Sequence, residues 1–227
     1  TYGNGLYVYG GDGGVLRTST NGVTWTSQTS GTTSSIQGLT YGNGLFLYVA
    51  YGGVLATSTN ATSWTSRTSQ TTTSLITVIY GNSLYVYAGW NGVLGTSTDG
   101  TTWTAQSSGS TANINGLCYG NGLYLIGDNN GRIATSTNGV TWTTRTSGSS
   151  AQVTSILYVN GTYYWGQIGK LIGTSTDGIT WSTYSTIANY TSPFIYGNGI
   201  YLISDPTSAN NFFTTTNPTV AQWSPFY

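Results

Sequence analysis

The sequence predicts an all-β protein, a six-bladed β-propeller, and three observations carry that prediction. A tryptophan recurs every 39 residues in five copies and after 42 in the sixth, and three turn signals recur with it. The stretches between the turns are rich in β-branched and aromatic residues. Three tight turns join four antiparallel strands, and four strands in about 40 residues, repeated along a chain, are typical of propeller blades. A β-solenoid is the alternative, but it needs no hairpin at every turn.

Six copies of the repeat follow one another. Residues 2–25 and 119–142 are identical at 16 of 24 positions, which indicates duplication. The copies cover approximately residues 1–30, 31–69, 70–108, 109–147, 148–186 and 187–227, and we expect residues 1–227 to form a single propeller domain. Each copy has one tryptophan that we expect to pack between neighbouring blades as a structural anchor, because a buried indole removes roughly 150–250 Å² from water. These are Trp25, Trp64, Trp103, Trp142, Trp181 and Trp223.

The three turn signals of each copy are the motif YGNG, a glycine-rich tip and the motif TSTNG or TSTDG. Asn-Gly and Asp-Gly favour type I′ hairpins because both central residues need positive φ. In the second copy the strand-like stretches between the turns are residues 36–40, 45–49, 54–59 and 64–68. No stretch has a sustained period of 3.6 residues, so we expect essentially no helix.

Blade one is predicted to lack its innermost strand. In the later copies a strand precedes the YGNG turn, whereas the first copy begins within that turn at Tyr2. The residues after Trp223 are too few to supply the strand. We therefore expect it to be missing or to come from residues outside this sequence, which favours a chain that is part of something larger.

Charged residues are scarce, with five cationic and five acidic side chains in 227 residues and no histidine. Scattered cations cannot displace the counterions of a nucleic acid, and they form no polybasic membrane patch. No apolar stretch approaches the roughly 18 residues of a membrane span. We therefore expect no nucleic-acid partner and no membrane insertion. The single cysteine, Cys118, is predicted to be a buried small hydrophobic residue.

Residues 18–25, 96–103 and 174–181 (TSTNGVTW, TSTDGTTW and TSTDGITW) resemble the Asp-box of sialidase-like β-propellers. The resemblance covers all six copies, the sixth in a degraded form. It departs from the family because the acidic residue falls one position late and is Asn21, Asn60, Asn138 or Asn217 in four copies. The Asp-box is structural in that family, so the resemblance implies the fold and no substrate. The short Gly-Asn-Gly-rich repeats are also similar to those of bacterial and phage surface proteins.

Catalysis is not expected. The resemblance to sialidases implies a tyrosine nucleophile activated by glutamate, but the sequence contains no glutamate. Other glycosidases need two carboxyl groups about 5–9.5 Å apart, and Asp99 and Asp177 are already assigned to turns. Without histidine neither a Ser-His-Asp arrangement nor an imidazole metal site can form. We therefore predict no enzyme, no catalytic or metal-binding residue and no cofactor.

Any ligand site is expected on the surface formed by the second turns. The first and third turns barely change among the copies, whereas the second turn varies freely, and blade six inserts residues around 205–211. Aromatic rings can stack on sugar C–H groups, and Asp and Asn can bind hydroxyls. The alternative is that these are ordinary loop tips, free to vary. The candidate ligand-binding residues are Asp12, Tyr51, Trp90, Asn91, Asp128, Asn129 and Asn130.

The function that the sequence favours is a non-enzymatic propeller on a cell surface or virion, and hence an extracellular one, serving adhesion, receptor contact or assembly. Zero net charge protects a free protein poorly against self-association, which fits a domain held within a larger assembly. Its partner would be a glycan, a protein surface, or the remainder of a longer chain. A soluble glycan-binding lectin is the first alternative, and a degenerate sialidase-like glycosidase is the second.

Overall fold

The computed structural model describes residues 1–169, 171–186, 194–204, 212–219 and 223–225. These residues form six four-stranded antiparallel sheets, and each sheet consists of four consecutive strands in sequence order. The prediction of an all-β, six-bladed β-propeller is confirmed. Two compact units divide the chain, Thr1–Asn113 with blades one to three and Ile114–Tyr227 with blades four to six. That residues 1–227 act as one domain stays a prediction.

The first unit contains β1 (Tyr2–Gly3), β2 (Leu6–Gly10), β3 (Leu16–Ser19) and β4 (Thr26–Gln28) in blade one; β5 (Ile36–Gly42), β6 (Leu45–Ala50), β7 (Leu55–Ser58) and β8 (Thr65–Arg67) in blade two; and β9 (Leu75–Gly81), β10 (Leu84–Gly89), β11 (Val93–Ser97) and β12 (Thr104–Ser107) in blade three. The described residues contain no α-helix, in agreement with the sequence. One-turn 3₁₀ helices form the second turns of these three blades, at Asp12–Gly14, Tyr51–Gly53 and Trp90–Gly92.

The second unit contains β13 (Ile114–Gly120), β14 (Leu123–Asp128), β15 (Ile133–Ser136) and β16 (Thr143–Arg145) in blade four; β17 (Val153–Val159), β18 (Thr162–Gln167), β19 (Leu171–Ser175) and β20 (Ser182–Ser185) in blade five; and β21 (Phe194–Gly197), β22 (Ile200–Ser204), β23 (Phe212–Thr215) and β24 (Ser224–Pro225) in blade six.

Blade one has four strands, so the prediction that its innermost strand is missing was wrong. Its first strand, β1, is short, with two residues where the first strands of blades two to five have seven. The amino group of Thr1 donates to the carbonyl of Val8 at 2.9 Å, and the N–H of Val8 donates back to Thr1 at 2.9 Å. The sequence does not reveal this strand because its two residues belong to the YGNG motif, which marks the end of the first strand in every blade.

The first and third turns adopt the tight geometry that the sequence predicts. In the YGNG turn of blade two, Asn43 and Gly44 have φ of 48° and 76°. In the third turn of blade three, the carboxylate of Asp99 accepts the N–H groups of Thr101 and Thr102 at 2.7 and 2.8 Å. The amide oxygen of Asn138 accepts the two equivalent bonds in blade four at 2.9 Å each. Asparagine therefore replaces aspartate here without loss of the turn.

Apolar side chains pack between neighbouring blades of each unit. Trp64 lies against a cluster shared by blades one and two, and Trp103 belongs to one shared by blades two and three. Trp181 and Trp223 contact the clusters between blades four and five and between blades five and six. In the remaining two copies the ring of Trp25 lies 4.8 Å from that of Tyr9 and Trp142 donates its indole N–H to the carbonyl of Gly139 at 3.2 Å.

The first glycine of the YGNG motif has a packing role that differs from the turn role of the second. A Cβ on Gly42 would lie 2.1 Å from the ring of Tyr80, the equivalent tyrosine of the next blade. The same contact, with the same 2.1 Å, joins Gly3 to Tyr41 and Gly120 to Tyr158. A tyrosine ring from one blade thus lies directly on the backbone of the blade before it. We call this arrangement the Tyr-on-Gly contact.

Cys118 is buried, as predicted, and forms no disulfide. Removal from water raises the pKa of its thiol far above the ordinary value. None of the helices in the described chain has the length and apolarity that crossing a membrane requires.

Candidate ligand-binding surface

The second turns are held in place by a buried serine that follows the fourth strand of the same blade. In blade two the hydroxyl oxygen of Ser69 lies 2.6 Å from the carbonyl oxygen of Gly53 in the second turn and 3.0 Å from that of Thr71 in the linker. Turn and linker are therefore clamped together, and the tip of the blade has a fixed backbone. The same serine recurs as Ser30, Ser69, Ser108 and Ser147.

Sequence reasoning missed this serine. Its signal is its constant distance from the tryptophan: Ser30 and Ser69 each follow the tryptophan of their copy by five residues, as do Ser108 and Ser147. The sequence is so rich in serine and threonine that this constant spacing alone does not distinguish the serine from the others near the turn motifs.

Two aromatic side chains that the sequence singled out, Tyr51 and Trp90, are neighbours on this surface. Their ring centroids are 5.4 Å apart with planes inclined by 42°. Tyr51 is 36% exposed and Trp90 is 41% exposed, although both are large hydrophobic residues. They begin the 3₁₀ turns at the tips of blades two and three, which lie side by side in the first unit.

Hydrogen bonds to Ser74 connect the two turns that carry these aromatic residues. The carbonyl of Ser74, in the linker between blades two and three, accepts the N–H of Trp90 at 3.0 Å. The hydroxyl of the same serine accepts the N–H of Gly52, next to Tyr51, at 3.2 Å. One linker residue thus ties both tips, and the Tyr51–Trp90 pair is preorganised.

Asp12 and Asn91 supply polar groups on tips in the same unit. Asp12 is exposed and occupies in blade one the position that Tyr51 and Trp90 occupy in blades two and three. Asn91, next to Trp90, is exposed with φ of 54°, and its N–H donates to the side-chain oxygen of Asn113 at 3.0 Å. The structure therefore places four of the seven candidate residues at the tips of three consecutive blades.

The other three candidates lie in the second unit, and only one of them is exposed. Asp128 is 1% exposed, and its carboxylate accepts the N–H groups of Asn130 and Arg132 at 2.9 and 3.2 Å. Asn129 is half-buried and accepts a hydrogen bond from the side-chain amide of Asn115. Asn130 faces solvent. The carboxylate of Asp128 thus serves its own turn, a role that the motif Asp-Asn-Asn-Gly does not reveal in the sequence.

The residue three positions after the tryptophan differs among the copies and lies in the fourth strand, where it forms hydrogen bonds within its own blade. Arg67 and Arg145 each donate from Nε to a threonine hydroxyl of the neighbouring strand at 2.9 Å, and Gln28 donates equivalently to Thr18. Throughout the described ranges no three side chains among His, Cys, Asp and Glu come together as a possible metal site. Asp205 and the other residues inserted in the second turn of blade six lie outside the described residues.

No protein-family model matches the chain, and no curated protein matches its sequence. Solved structures match its fold. The structure of YCF48 bound to D1 peptide gives a TM-score of 0.74 at 13% identity, covering 97% of this chain and 77% of that one. A chain of the nidogen/laminin complex gives 0.72 at 11% identity, covering 92% and 89%. The fold is a β-propeller. The computationally designed protein Ika8 gives 0.73 at 11% identity, covering 98% and 71%. At such identities the likeness extends to the fold alone.

Proposed function

We propose that this protein is a non-enzymatic binding propeller that holds a segment of a partner protein on the Tyr51–Trp90 pair. The observation that carries the proposal is the pair itself: two large aromatic rings, 5.4 Å apart, on a rigid backbone and over a third exposed. Tryptophan and tyrosine dominate the residues that contribute most to protein–protein binding. A preorganised pair loses little conformational entropy when a ligand binds.

The structural neighbours support a protein ligand as the first to test. YCF48 was solved with the D1 peptide and nidogen with laminin, so propellers of this shape are used to bind peptides and proteins. A neutral glycan is the second candidate, because the apolar face of Trp90 stands beside the uncharged amide of Asn91. Both ligands would use the same two rings, so one set of variants tests both.

The absence of catalysis is part of the proposal. The sequence contains no glutamate or histidine. Among the candidate residues, the carboxylate of Asp128 is engaged in its own turn, which leaves Asp12 as the exposed carboxylate of this set. Glycoside hydrolysis ordinarily needs a pair of carboxyl groups on either side of the scissile bond, and one exposed carboxylate does not supply that pair. Hydrolysis of any glycoside by the purified protein would overturn this part of the proposal.

We also propose that the hairpins containing Asp99 and Asp177 are related to the Asp-box. This proposal is supported by the hydrogen bonds of Ser97 and Asp99, which join residues within the same turn.

We further propose that the protein acts outside the cell, on a cell surface or virion. This location is supported by the balance of five positive and five negative charges, which suits a tethered protein better than a free one. Immunogold labelling of intact cells or particles tests that location.

Alanine substitution of the aromatic pair tests the binding proposal. The protein is screened against peptide, protein and glycan arrays, and each hit is measured with Tyr51→Ala and Trp90→Ala. We expect each variant to weaken binding of a peptide or protein at least about thirtyfold, as loss of a residue that contributes 2 kcal/mol does. Val23→Ala is the matched control, because Val23 is 79% exposed on a third turn.

The possible results separate the hypotheses. Glycan binding that depends on the same two residues would replace the protein ligand with the second candidate. A ligand that binds all three variants equally well would refute the role of the aromatic pair. Thermal unfolding of each variant checks that the fold is intact.

A further inference from the structure

The carboxylate of Asp12 is the one charged group at the tips of the first three blades. The second turns of these blades, and the linkers that follow blades one and two, contain no other charged residue. Asp12 is exposed, and throughout residues 1–113, all of which the structure describes, no cationic group lies within ion-pair distance of it. The tips of the first unit thus carry a negative charge that no cation of this unit pairs with.

The linker between blades one and two joins Asp12 to the aromatic pair. The carbonyl of Gly11, next to Asp12, accepts the N–H of Ile36 at 3.1 Å. The carbonyl of Ser35, the preceding residue, accepts the N–H of Tyr51 at 3.2 Å. Two consecutive linker residues therefore hold the tips of blades one and two together, as the next linker holds the tips of blades two and three.

The space above the tips of blades one and two is open. Beyond the adjacent residues, no atom lies within 4 Å of the position that a Cβ on Gly11, Gly13 or Gly52 would occupy. Two of these glycines flank Asp12, and the third follows Tyr51 directly. A side chain of a ligand can therefore approach the carboxylate and the rings without displacing a neighbouring group.

The two rings have a spacing that suits a cation. A cationic group is attracted to an aromatic face when it lies within about 6 Å of the ring centroid, and tryptophan attracts it most strongly. The centroids of Tyr51 and Trp90 are 5.4 Å apart, so one cation can lie within that distance of both. Arginine suits such a place better than lysine, because its planar guanidinium stacks on aromatic rings and is more weakly hydrated.

We infer that the segment bound by the Tyr51–Trp90 pair presents an arginine, whose guanidinium lies on the rings while Asp12 attracts it from the neighbouring tip. This inference rests on the proposed function, since it names the residue type that the pair recognises. An apolar side chain would also use the rings but would gain nothing from a carboxylate beside them. An acidic side chain would be repelled, so the tips select a basic segment and reject an acidic one.

Five peptides that differ at one residue test this inference. Each is an acetylated and amidated nonapeptide of glycine and serine with Arg, Lys, Gln, Leu or Glu at its centre. Binding is followed by NMR titration of the indole N–H signal of Trp90, which the Trp90→Ala variant identifies. We expect the arginine peptide to bind at least about fivefold more tightly than the glutamine peptide, as an exposed cation–π contact and an ion pair together provide. The lysine peptide should rank second and the glutamate peptide last.

The Asp12→Asn variant separates the contribution of the carboxylate from that of the rings. We expect it to weaken binding of the arginine peptide about twofold to fivefold, the range of an exposed ion pair, and to leave the glutamine peptide unchanged. Asp99→Asn is the matched control, because it removes the same charge from a third turn of the first unit, where asparagine preserves the turn as Asn138 does. It should leave both affinities unchanged, and thermal unfolding confirms that each variant is folded.

The results distinguish this inference from the function on which it rests. An arginine peptide that binds no better than the glutamine peptide overturns the inference, and so does an affinity that Asp12→Asn leaves unchanged. In either case a ligand from the arrays that depends on Tyr51 and Trp90 would still support the binding function. If substitution of the two rings weakens no ligand at all, both proposals are wrong.

Discussion

Replacement of Gly42 by alanine tests whether the Tyr-on-Gly contact holds neighbouring blades together. The new Cβ would lie 2.1 Å from two ring carbons of Tyr80, whereas carbon atoms in contact prefer about 3.5–4.0 Å. The ring cannot easily move aside, because it stacks at 4.5 Å on Tyr85, whose hydroxyl bonds back to the carbonyl of Gly42. Overpacking of this kind costs about 1–3 kcal/mol. Alanine normally gains roughly 0.5–1 kcal/mol over glycine in a strand, so we expect a net loss of about 1–2 kcal/mol.

Urea and thermal unfolding measure this loss. A chain of this length loses about 2–4 °C in Tm per kcal/mol, so Gly42→Ala should lower Tm by about 2–8 °C. Gly11→Ala is the matched control and should change stability by less than about 0.5 kcal/mol, because its backbone is extended and nothing lies within 4 Å of the new Cβ. In a Tyr80→Ala background the cost of Gly42→Ala should disappear. An equal cost in both backgrounds would show that the ring is not its source.

Three further predictions follow from individual side chains. Ser69→Ala should cost about 1–2 kcal/mol in urea unfolding, because the carbonyls of Gly53 and Thr71 lose the buried hydroxyl that they share. Ser66→Ala at an exposed site should cost almost nothing. Hydrogen bonds from backbone N–H groups lower the pKa of Asp99 below its ordinary value and that of Asp177 to about 2. The two ionised carboxylates therefore stabilise the folded state above pH 3.8, and this contribution is lost as the pH falls towards 2. The double Asn variant should therefore lose less Tm than the wild type between pH 4 and 2, and parallel curves would contradict this. Cys118 should react with a thiol reagent only after unfolding, because it is buried and burial raises the pKa of its thiol. Rapid labelling of the native protein would contradict this prediction.

The fold could be predicted from the sequence because the repeat places every turn signal at a fixed distance. Asn-Gly and Asp-Gly allow few backbone conformations, and the turn at Asn43–Gly44 has the predicted positive φ at both residues. The short strand β1 was missed for a physical reason. A first strand is recognised by the apolar residues before the YGNG motif, whereas β1 consists of the first two residues of the motif itself. It pairs with β2 through Tyr2 and Tyr7 and through Gly3 and Leu6, within a motif that the sequence identifies only as a turn.

The candidate surface was predictable in part. The variability of the second turn pointed to Tyr51 and Trp90, but variability cannot separate exposed side chains from buried ones. Asp128 is of a residue type that often binds ligands, but its carboxylate accepts hydrogen bonds from the N–H groups of its own turn. The packing role of Gly42 was hidden for a similar reason, since a glycine next to Asn-Gly is explained sufficiently by the turn. Only the position of Tyr80 shows that a side chain could not fit there.

The repeat itself explains why two aromatic residues lie together on the second-turn surface. Tyr51 and Trp90 are 39 residues apart, so they occupy the same position in consecutive copies. Equivalent positions of neighbouring blades lie side by side, and the bonds to Ser74 hold the two tips at a fixed separation. Two substitutions at one repeat position are then sufficient to create a pair 5.4 Å apart, while the serine clamps beneath them keep the backbone constant. The repeat thus combines a second turn whose side chains vary among the copies with a serine clamp that recurs in blades one to four.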